Sequence, residues 1–435
     1  MKANIMQKQK KILLLCFSLA AMAGGSVSFA ANGNKEDVDK LFKEGLYRRE
    51  QGQLFAAIEA FQTVLSLQPE LDRVRLELAA AYYKALDYEA AKEQAEAVLR
   101  KPDIPDNVRL SVLAFLAQLK SDQEASSKRK VWEQTLSVGL MHDTNVNAGP
   151  SSNVVQGGGQ VFNLTPTDVA RADTAATLSA GISHSYQSPT PMRIGESAAR
   201  LLWQSRANFY AKENFSEHAS NLEVVTLSTG PAWFALEKWR ANVNLSLDHY
   251  QYGSAPLARY ASILPSVTWQ MDKGELTWDM LVQKRTFARS GDIGKDSNYT
   301  ATGAYFGHVY HDGKVAAQAG IRLFREAADQ NFYSNDGTEF FVGASAVTWE
   351  NGSVYGRYIQ RDTKWDALNP NLPITENQKD TLKTYELGFH HDFKDEVLKD
   401  WRITGSYTAY RNDSNVSYYN YNRNMTGLSL SRNFD

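Results

Sequence analysis

The sequence predicts an α+β multidomain protein in which N-terminal α-helical repeats precede a 14-stranded antiparallel transmembrane β-barrel. Two observations predict this architecture. From about residue 131 to the end, apolar and polar residues alternate along stretches separated by turns rich in Gly, Asp and Asn. Residues 36–122 instead carry apolar residues at helical spacing, and the pattern returns after 34 residues. Strands that are apolar on one face and polar on the other, repeated about fourteen times, are typical of a closed outer-membrane barrel.

The N-terminus has the composition of an export signal. Four lysines precede the apolar run 12–23, and Ser28-Phe29-Ala30 then supplies small residues at the positions that a signal peptidase reads. The run is too short to span a bilayer about 30 Å thick, which argues against a membrane anchor. Leu15, before Cys16, is bulkier than the residue that a lipoprotein signal uses at that position. We therefore predict that residues 1–30 are a cleaved signal peptide.

Composition excludes several classes of function. Cys16 is the only cysteine, so the mature chain is expected to have no disulfide scaffold, thiolate nucleophile or cysteine metal site. Loss of the four leader lysines takes the formal net charge from −2 to about −6, which argues against a nucleic-acid partner. No later segment approaches the roughly 20 continuous apolar residues of a transmembrane helix. The chain can therefore cross a membrane only as a barrel.

The helical region 36–122 has the pattern of tetratricopeptide repeats. Small and apolar residues of the first unit return 34 positions later, and glycine and proline occupy the positions usual for this repeat. Another kind of helical bundle would show the helical period but not this joint match. Residues 107–120 supply the first helix of a third unit, and 123–130 are predicted to be a linker. The residues that carry the match are Ala57, Phe61 and Val64, which return as Ala91, Ala95 and Val98, together with Gly45, Gly52, Pro69, Leu78, Ala79 and Tyr82.

Stacked repeats of this kind present a concave surface to extended peptides or partner proteins. We expect such a groove to bind a client protein, with the alternative that its residues are ordinary solvated side chains. The register places five side chains in the groove, namely Phe42, Arg49, Arg73, Tyr83 and Lys84.

The strand region 131–435 has connections that alternate in length. Tight turns are predicted at 272–274, 311–313 and 350–352, and long loops between other strands, as at 143–171. Bacterial outer-membrane barrels combine short periplasmic turns with long outer loops and an even number of strands. We therefore expect both ends of the barrel, and with them the helical repeats, in the periplasm of a Gram-negative bacterium. The predicted strands are 131–142, 172–186, 198–211, 217–234, 238–252, 258–272, 274–288, 298–311, 313–326, 338–349, 352–362, 380–393, 400–411 and 421–434.

Aromatic residues such as Trp132 and Trp401 lie near the predicted strand ends, where amphipathic rings anchor at the lipid headgroups. The last strand alternates and closes on an aromatic residue, although Asp435 follows it. It resembles the C-terminal signal that the barrel-assembly machinery reads. The residues that carry this resemblance are Gly427, Leu428, Leu430 and Phe434.

The opening of the barrel is more specific. The segment Gly139-Leu140-Met141-His142-Asp143-Thr144-Asn145-Val146-Asn147 resembles the first-strand motif of the surface lipoprotein assembly modulator (Slam) family. The resemblance covers the repeats and the barrel, which is nearly the whole mature chain. It implies an outer-membrane translocator that delivers a surface lipoprotein, or a secreted haem- or metal-acquisition protein, from the periplasm to the cell surface. The motif residues singled out are Gly139, Asp143, Asn145 and Asn147.

The motif also has a physical interpretation. Asp143, Asn145 and Asn147 are short polar residues at a strand-to-loop transition, where such residues tolerate turns and bond their own backbone. We interpret them as ending the first strand and folding the outer loop rather than contacting a client. In the same loop, Gly157-Gly158-Gly159 lacks the strand and helix context of a phosphate-binding loop, so we interpret it as a loop tip.

The residues support no active site and no cofactor. His390 and His391 are consecutive on a predicted strand, so they point to opposite faces and cannot bind one ion inside the barrel. His184 is likewise adjacent to Ser183 and Ser185 and shares a face with neither, which argues against the Ser-His pair of an outer-membrane phospholipase. We predict that the protein is not an enzyme and holds no metal.

Three functions remain open. The first is the client translocator, whose partners would be the client, the barrel-assembly machinery and outer-membrane lipids. The second is a surface receptor, adhesin or other host-interaction barrel that acts through its loops. The third is an exopolysaccharide export porin, which typically has many more repeats and a strongly charged interior. The interior residues assigned from the alternation are largely neutral, which disfavours the third function: Thr177, Ser179, Ser183, Asn242, Asn244 and Ser246.

Overall fold

The computed structural model describes residues 34–101, 104–127, 129–157, 160–235, 238–372, 374–395 and 397–434. The predicted signal peptide, Gly158, Gly159 and Asp435 lie outside the described residues. The chain divides into two compact units. The helical unit holds the described residues up to Lys130 together with Tyr186–Leu202 and Trp233–Trp239, and the barrel unit holds those of Val131–Ser185, Trp203–Ala232 and Arg240–Asp435.

The helices of the helical unit pack in consecutive pairs. Their core includes small and apolar residues that the 34-residue pattern singled out, of which Ala57, Phe61, Ala91 and Ala95 are fully buried. None of the helices that the structure describes is both long and apolar enough to cross a membrane. The helices are α1 (Asn34–Glu50), α2 (Leu54–Leu67), α3 (Asp72–Lys84), α4 (Tyr88–Leu99) and α5 (Asp106–Ser127).

Two turns of the helical unit that lie 34 positions apart have a similar backbone conformation. Gly52, in the turn between α1 and α2, has φ +73°, and Leu86, 34 positions later between α3 and α4, has φ 62°. Both turns use the left-handed region, which leucine rarely adopts. Gly45 allows α1 to approach α2 closely, because a Cβ there would lie 2.6 Å from the ring of Phe61. One difference from the prediction is that α5 continues to Ser127, so most of the expected linker 123–130 is helical.

Fourteen of the strands in the described residues form a closed sheet. The order runs from β4 through β1 and β17 and then backwards along the chain to β6, which pairs with β4 and closes the barrel. The short strand β5 extends the sheet beside β6, and β2 pairs only with β3. The strands are β1 (Lys130–Asp143), β2 (Val154–Gly157), β3 (Gln160–Asn163), β4 (Asp173–Gln187), β5 (Met192–Ile194), β6 (Ser197–Asn214), β7 (Leu222–Ala235), β8 (Trp239–Tyr252), β9 (Ala255–Met271), β10 (Gly274–Phe287), β11 (Ser297–Tyr310), β12 (Val315–Ala328), β13 (Asn335–Trp349), β14 (Gly352–Trp365), β15 (Lys379–Asp392), β16 (Trp401–Ser414) and β17 (Tyr421–Phe434).

The prediction of N-terminal helices followed by a closed 14-stranded antiparallel barrel is confirmed. The first and last strands pair from Gln134↔Phe434 to Asp143↔Met425, which closes the sheet. The strand predicted to start at 217 begins at Leu222, because His218–Ser220 forms a 3₁₀ turn. The alternation of connection lengths is not strict, since the connection 253–254 is as tight as 272–273.

The two faces of the strands differ as the alternation predicts. On β8, Leu245 and Leu247 are exposed on one face, while Asn244 and Ser246 lie on the other. In a closed barrel that bears apolar side chains on one face, that face is the outer one and the polar face lines the interior. The neutral side chains assigned to the interior from the sequence on β4 and β8 alternate with these outer apolar residues.

Candidate functional site

The residues predicted to line the helical groove contact neighbouring helices. The guanidinium of Arg73 on α3 lies 5.4 Å from the ring centroid of Phe42 on α1. Arg49 on α1 forms an ion pair with Glu77 on α3, whose side chain is only 6% exposed. A buried carboxylate is tolerated when it is paired in this way. These predicted binding residues therefore also hold α1 against α3.

Tyr83 extends the same line of contacts to α5. Its hydroxyl donates a hydrogen bond to Oδ2 of Asp122 at 2.5 Å, and its ring lies 5.6 Å from that of Phe115, centroid to centroid. Lys84 is half-exposed in the last turn of α3, where a cation is favoured by the helix dipole. All five predicted residues thus lie on α1 and α3. Of the three cations among them, Arg49 pairs with a carboxylate, whereas Arg73 and Lys84 have no carboxylate partner in the described ion pairs.

A carboxylate distant in sequence caps α2. The residue before α2, Gln53, makes no side-chain cap. Oε2 of Glu196 instead accepts hydrogen bonds from the backbone N–H groups of Phe55 (3.0 Å) and Ala56 (3.2 Å). The first-turn N–H groups of a helix have no partner within the helix, so an outside acceptor stabilises it. No sequence pattern indicates this cap, because Glu196 lies about 140 residues from the helix that it serves.

The same contact includes a half-buried lysine. Nζ of Lys238 donates to the carbonyl of Gly52 at 2.7 Å and to the carbonyl of Glu196 at 3.3 Å. Burial lowers the pKa of Lys238, and the nearby Glu196 opposes that effect. Burial would raise the pKa of the Glu196 carboxyl, but the N–H groups of Ala56 and Phe55 outweigh it and lower the pKa.

The first-strand motif is built around a buried ion pair. Asp143, at the end of β1, is 2% exposed. Its carboxylate accepts from Nε of Arg423 on β17 at 2.9 Å and from the terminal guanidinium nitrogen at 2.5 Å. Gly139, on the interior face of the same strand, is required for close packing, since a Cβ would lie 2.6 Å from the carbonyl oxygen of Leu428. The pair joins the first and last barrel strands.

The two asparagines of the motif fold the loop that follows. Asn145 is fully buried. Its Nδ2 donates a hydrogen bond to the carbonyl oxygen of Gly149 (2.8 Å), and its Oδ1 accepts one from the backbone N–H of Gly149 (2.9 Å). Asn147 donates to the carbonyl of Val169 (2.8 Å) and accepts from the N–H of Arg171 (3.0 Å). These bonds to backbone groups are the structural role expected for the motif, and they do not leave the amides free for a client.

Aromatic and guanidinium groups from neighbouring strands form a row on the interior face, here called the interior belt and comprising Tyr260, Arg285, Tyr299, Phe324 and Arg361. The Arg285 guanidinium lies 5.2 Å from the ring centroid of Tyr260 and 4.1 Å from that of Tyr299. Tyr299 stacks on Phe324 at 6.2 Å, and Arg361 lies 3.7 Å from the Phe324 centroid. Cation–π contacts of this kind stabilise a guanidinium that is partly removed from water.

The expectation of a largely neutral interior is wrong for this wall of the barrel. Arg322 pairs with Asp279 at 3.0 Å and approaches Glu339 at 4.0 Å. Arg285 pairs with Glu326 at 3.0 Å. The neutral residues assigned from the sequence lie on β4 and β8, whereas these charges lie on β10 to β13. The charges are tolerated because cross-strand partners compensate them, and such pairing is not visible in the alternation of a single strand.

The histidines of β15 point to opposite faces, as predicted. His390 contacts the hydroxyl of Ser353 (3.0 Å), and Nδ1 of His391 accepts from the indole N–H of Trp349 (3.1 Å). Within the described residues, no group of three or more His, Cys, Asp and Glu side chains is arranged to hold a metal ion.

No protein-family model matches the chain, and no curated protein matches it. Among solved structures, the chain is similar to Acinetobacter baumannii OccAB4 (8% identity, 71% of this chain and 99% of that chain, TM-score 0.34). It is also similar to Pseudomonas aeruginosa OccK1 (9% identity, 70% and 98%, TM-score 0.34). A third similar structure is the outer membrane channel DcaP of Acinetobacter baumannii (9% identity, 70% and 97%, TM-score 0.38). Each similarity is weak and extends over nearly the whole length of the solved chain.

Proposed function

We propose that the protein is an outer-membrane translocator, in which the helical unit engages a client protein and the barrel supplies the route to the cell surface. The observation that carries the proposal is the presence, in one chain, of a helical unit and a closed barrel with a polar interior. The matching turns at Gly52 and Leu86 support a tetratricopeptide character for the helices. Stacked repeats of that kind bind peptides and proteins.

The Slam resemblance suggests the class of client, a surface lipoprotein or a secreted haem- or metal-acquisition protein. The proposed location is the outer membrane of a Gram-negative bacterium, with the helical unit in the periplasm and assembly directed by the last strand. The proposed activity requires no catalytic group and no cofactor.

The proposal is tested by measuring export with altered helices. Arg73→Glu combined with Lys84→Glu reverses two charges whose side chains have no carboxylate partner in the described ion pairs. We expect this variant to reduce surface display or release of a lipoprotein encoded next to this chain, measured by protease accessibility on intact cells. The control Lys92→Glu reverses an exposed charge on α4 and should leave export unchanged. If export is the same when the whole protein is absent, across the neighbouring candidate clients, the translocator proposal fails and a receptor or adhesin function replaces it.

The proposed orientation has a separate test. A peptide tag inserted at Gly157, in the loop after β1, should be accessible to antibody on intact cells, because long loops of such barrels face outward. A tag that replaces Asp312 and Gly313, in the tight turn between β11 and β12, should be accessible only after permeabilisation. The opposite labelling pattern would reverse the orientation and move the helical unit to the outside.

The interior belt favours a second candidate, an export channel for a polar polymer such as an exopolysaccharide. The paired charges on β10 to β13 remove the neutral-interior argument against it. Planar-bilayer recording distinguishes the two functions, because an open channel gives steady conductance steps, whereas a gated translocator without client stays closed. Arg285→Ala with Arg361→Ala should change ion selectivity only in the open-channel case.

A further inference from the structure

Positive side chains lie close together on the outer face of β14 to β16. Tyr385, Leu387 and Phe389 are exposed by 45%, 61% and 39%, which identifies the odd-numbered residues of β15 as the outward ones. Lys383 and Lys379 continue the same face towards the end of the strand from which the long connection 366–378 leaves. The outward face of β15 therefore changes from apolar to cationic along its length.

The strand register places these lysines directly opposite other cations. Lys383 pairs in register with Arg411 on β16, and Lys379 with Lys364 on β14. Directly opposed residues share a face and lie about 5 Å apart at Cβ, and like charges in such positions repel. The fold therefore holds two opposed pairs of like charge, here called the outer cation patch and comprising Lys364, Lys379, Lys383 and Arg411.

The carboxylates beside the outer cation patch do not neutralise it. Oδ2 of Asp413 lies 3.1 Å from Nζ of Lys383. Asp362, also outward, accepts hydrogen bonds from Thr381 (2.7 Å) and Gln360 (3.0 Å). Asp336 on β13 lies opposite Lys364 in register, and its carboxylate is also 3.4 Å from Arg325. The Arg411 guanidinium donates to the neutral Oδ1 of Asn424 at 3.1 Å. The four cations of the patch thus face three carboxylates, one of which is shared with Arg325, and this leaves a net positive charge on the surface.

Aromatic rings fix the level of the outer cation patch relative to the apolar face. The rings of Tyr358 and Tyr385 lie 5.1 Å apart, centroid to centroid, on the outward face between the apolar residues and the Lys383–Arg411 pair. Tyrosines on the outside of a membrane barrel mark the headgroup level. Cations immediately beyond that level lie where lipid phosphates are found.

We propose that the outer cation patch binds the phosphate groups of a phosphorylated lipid in the surrounding leaflet. The inference rests on the proposed membrane location of the barrel and is independent of the client. Phosphate oxygens would compensate both opposed pairs through charge-assisted hydrogen bonds, while the acyl chains lie against Leu387 and Phe389. Bound lipid would thus relieve the repulsion between like charges that the register imposes.

The test compares two double variants of the purified full-length protein in maltoside micelles. Lys383→Gln with Arg411→Gln removes the opposed pair next to the tyrosines. Arg259→Gln with Lys284→Gln is the matched control, since these outward cations on β9 and β10 face the neutral Thr286 and Ala261. The probes are lipid A carrying both phosphates and the same lipid without phosphate, with bound lipid counted by native mass spectrometry.

We expect the wild type to bind the phosphorylated probe more tightly than the probe without phosphate. The Lys383–Arg411 variant should lose about five- to twentyfold in affinity for the phosphorylated probe, whereas the affinity of the control variant should change by less than about twofold. The proposal is overturned if the wild type binds both probes equally, or if the control loses as much as the patch variant. Heat-modifiable migration on gels shows separately that each variant is a folded barrel. A variant that migrates as a folded barrel but does not bind the phosphorylated lipid would contradict the lipid-binding proposal alone. Export assays test the proposed client translocation independently.

Discussion

Removal of the cap on α2 tests whether the helical unit depends on a residue distant in sequence. In Glu196→Ala, the N–H groups of Phe55 and Ala56 lose the acceptor that lies 3.0 and 3.2 Å away. Loss of an N-terminal cap costs about 0.5–2 kcal/mol, and loss of a negative charge at a helix N-terminus costs about 0.3–1 kcal/mol. The Glu196 side chain is 37% exposed, so water replaces part of the interaction and about 1–1.5 kcal/mol is expected.

The assay is thermal unfolding of the helices, followed by far-ultraviolet circular dichroism on purified protein in detergent. Glu196→Gln keeps an acceptor oxygen but loses the charge, so it should lose about half as much stability as Glu196→Ala. Glu59→Ala, at an exposed position on the same helix, is the control for loss of a carboxylate and should be neutral within about 0.5 kcal/mol. Unfolding of Glu196→Ala at the wild-type temperature, or an equal loss in Glu59→Ala, would refute the capping argument.

The cap also predicts a pH dependence. The pKa of Glu196 is lower in the folded protein than its ordinary value of 4.5. Its contribution to the free energy of unfolding is therefore fully present above pH 4.5 and is lost as the pH falls through the lowered, folded-state pKa. The difference between wild type and Glu196→Ala should thus be constant from neutral pH to about pH 5 and shrink below it. A difference that grows on acidification would contradict the assigned sign.

Two further predictions concern the barrel. Asp143→Ala leaves Arg423 without its carboxylate partner, and loss of one member of a buried ion pair costs about 3–5 kcal/mol. The temperature at which the protein shows its heat-induced gel shift should therefore fall. Asp143→Glu keeps a carboxylate, so the same temperature should fall less in that variant. Phe434→Ala removes the aromatic residue that ends the last strand opposite Gln134. The amount of this variant in the outer membrane should therefore drop more than that of Asp435→Ala. Wild-type amounts of both variants would place the assembly signal elsewhere.

The architecture could be predicted from the sequence because its signals are local. Alternation along a strand depends only on which of two faces meets lipid, so the strands near Leu245 and Leu387 were identified without knowledge of their partners. The helical core was predictable for the same reason, since Ala57 and Ala91, which the 34-residue pattern singles out, are both fully buried. The structural role of Asn145 was also predictable, because short polar side chains bond nearby backbone groups.

The interactions that only the tertiary structure decided join residues far apart in the chain. Asp143 meets Arg423 from 280 positions away because the sheet closes on itself, and Glu196 reaches α2 across about 140 positions. The charged interior wall and the outer cation patch arise from register, which sets Lys383 opposite Arg411 and is not encoded in the alternation of either strand alone. The sequence by itself thus determined which face of each element is polar, through periodicity. The closed sheet determined which charges meet, because register and closure are properties of strand pairs.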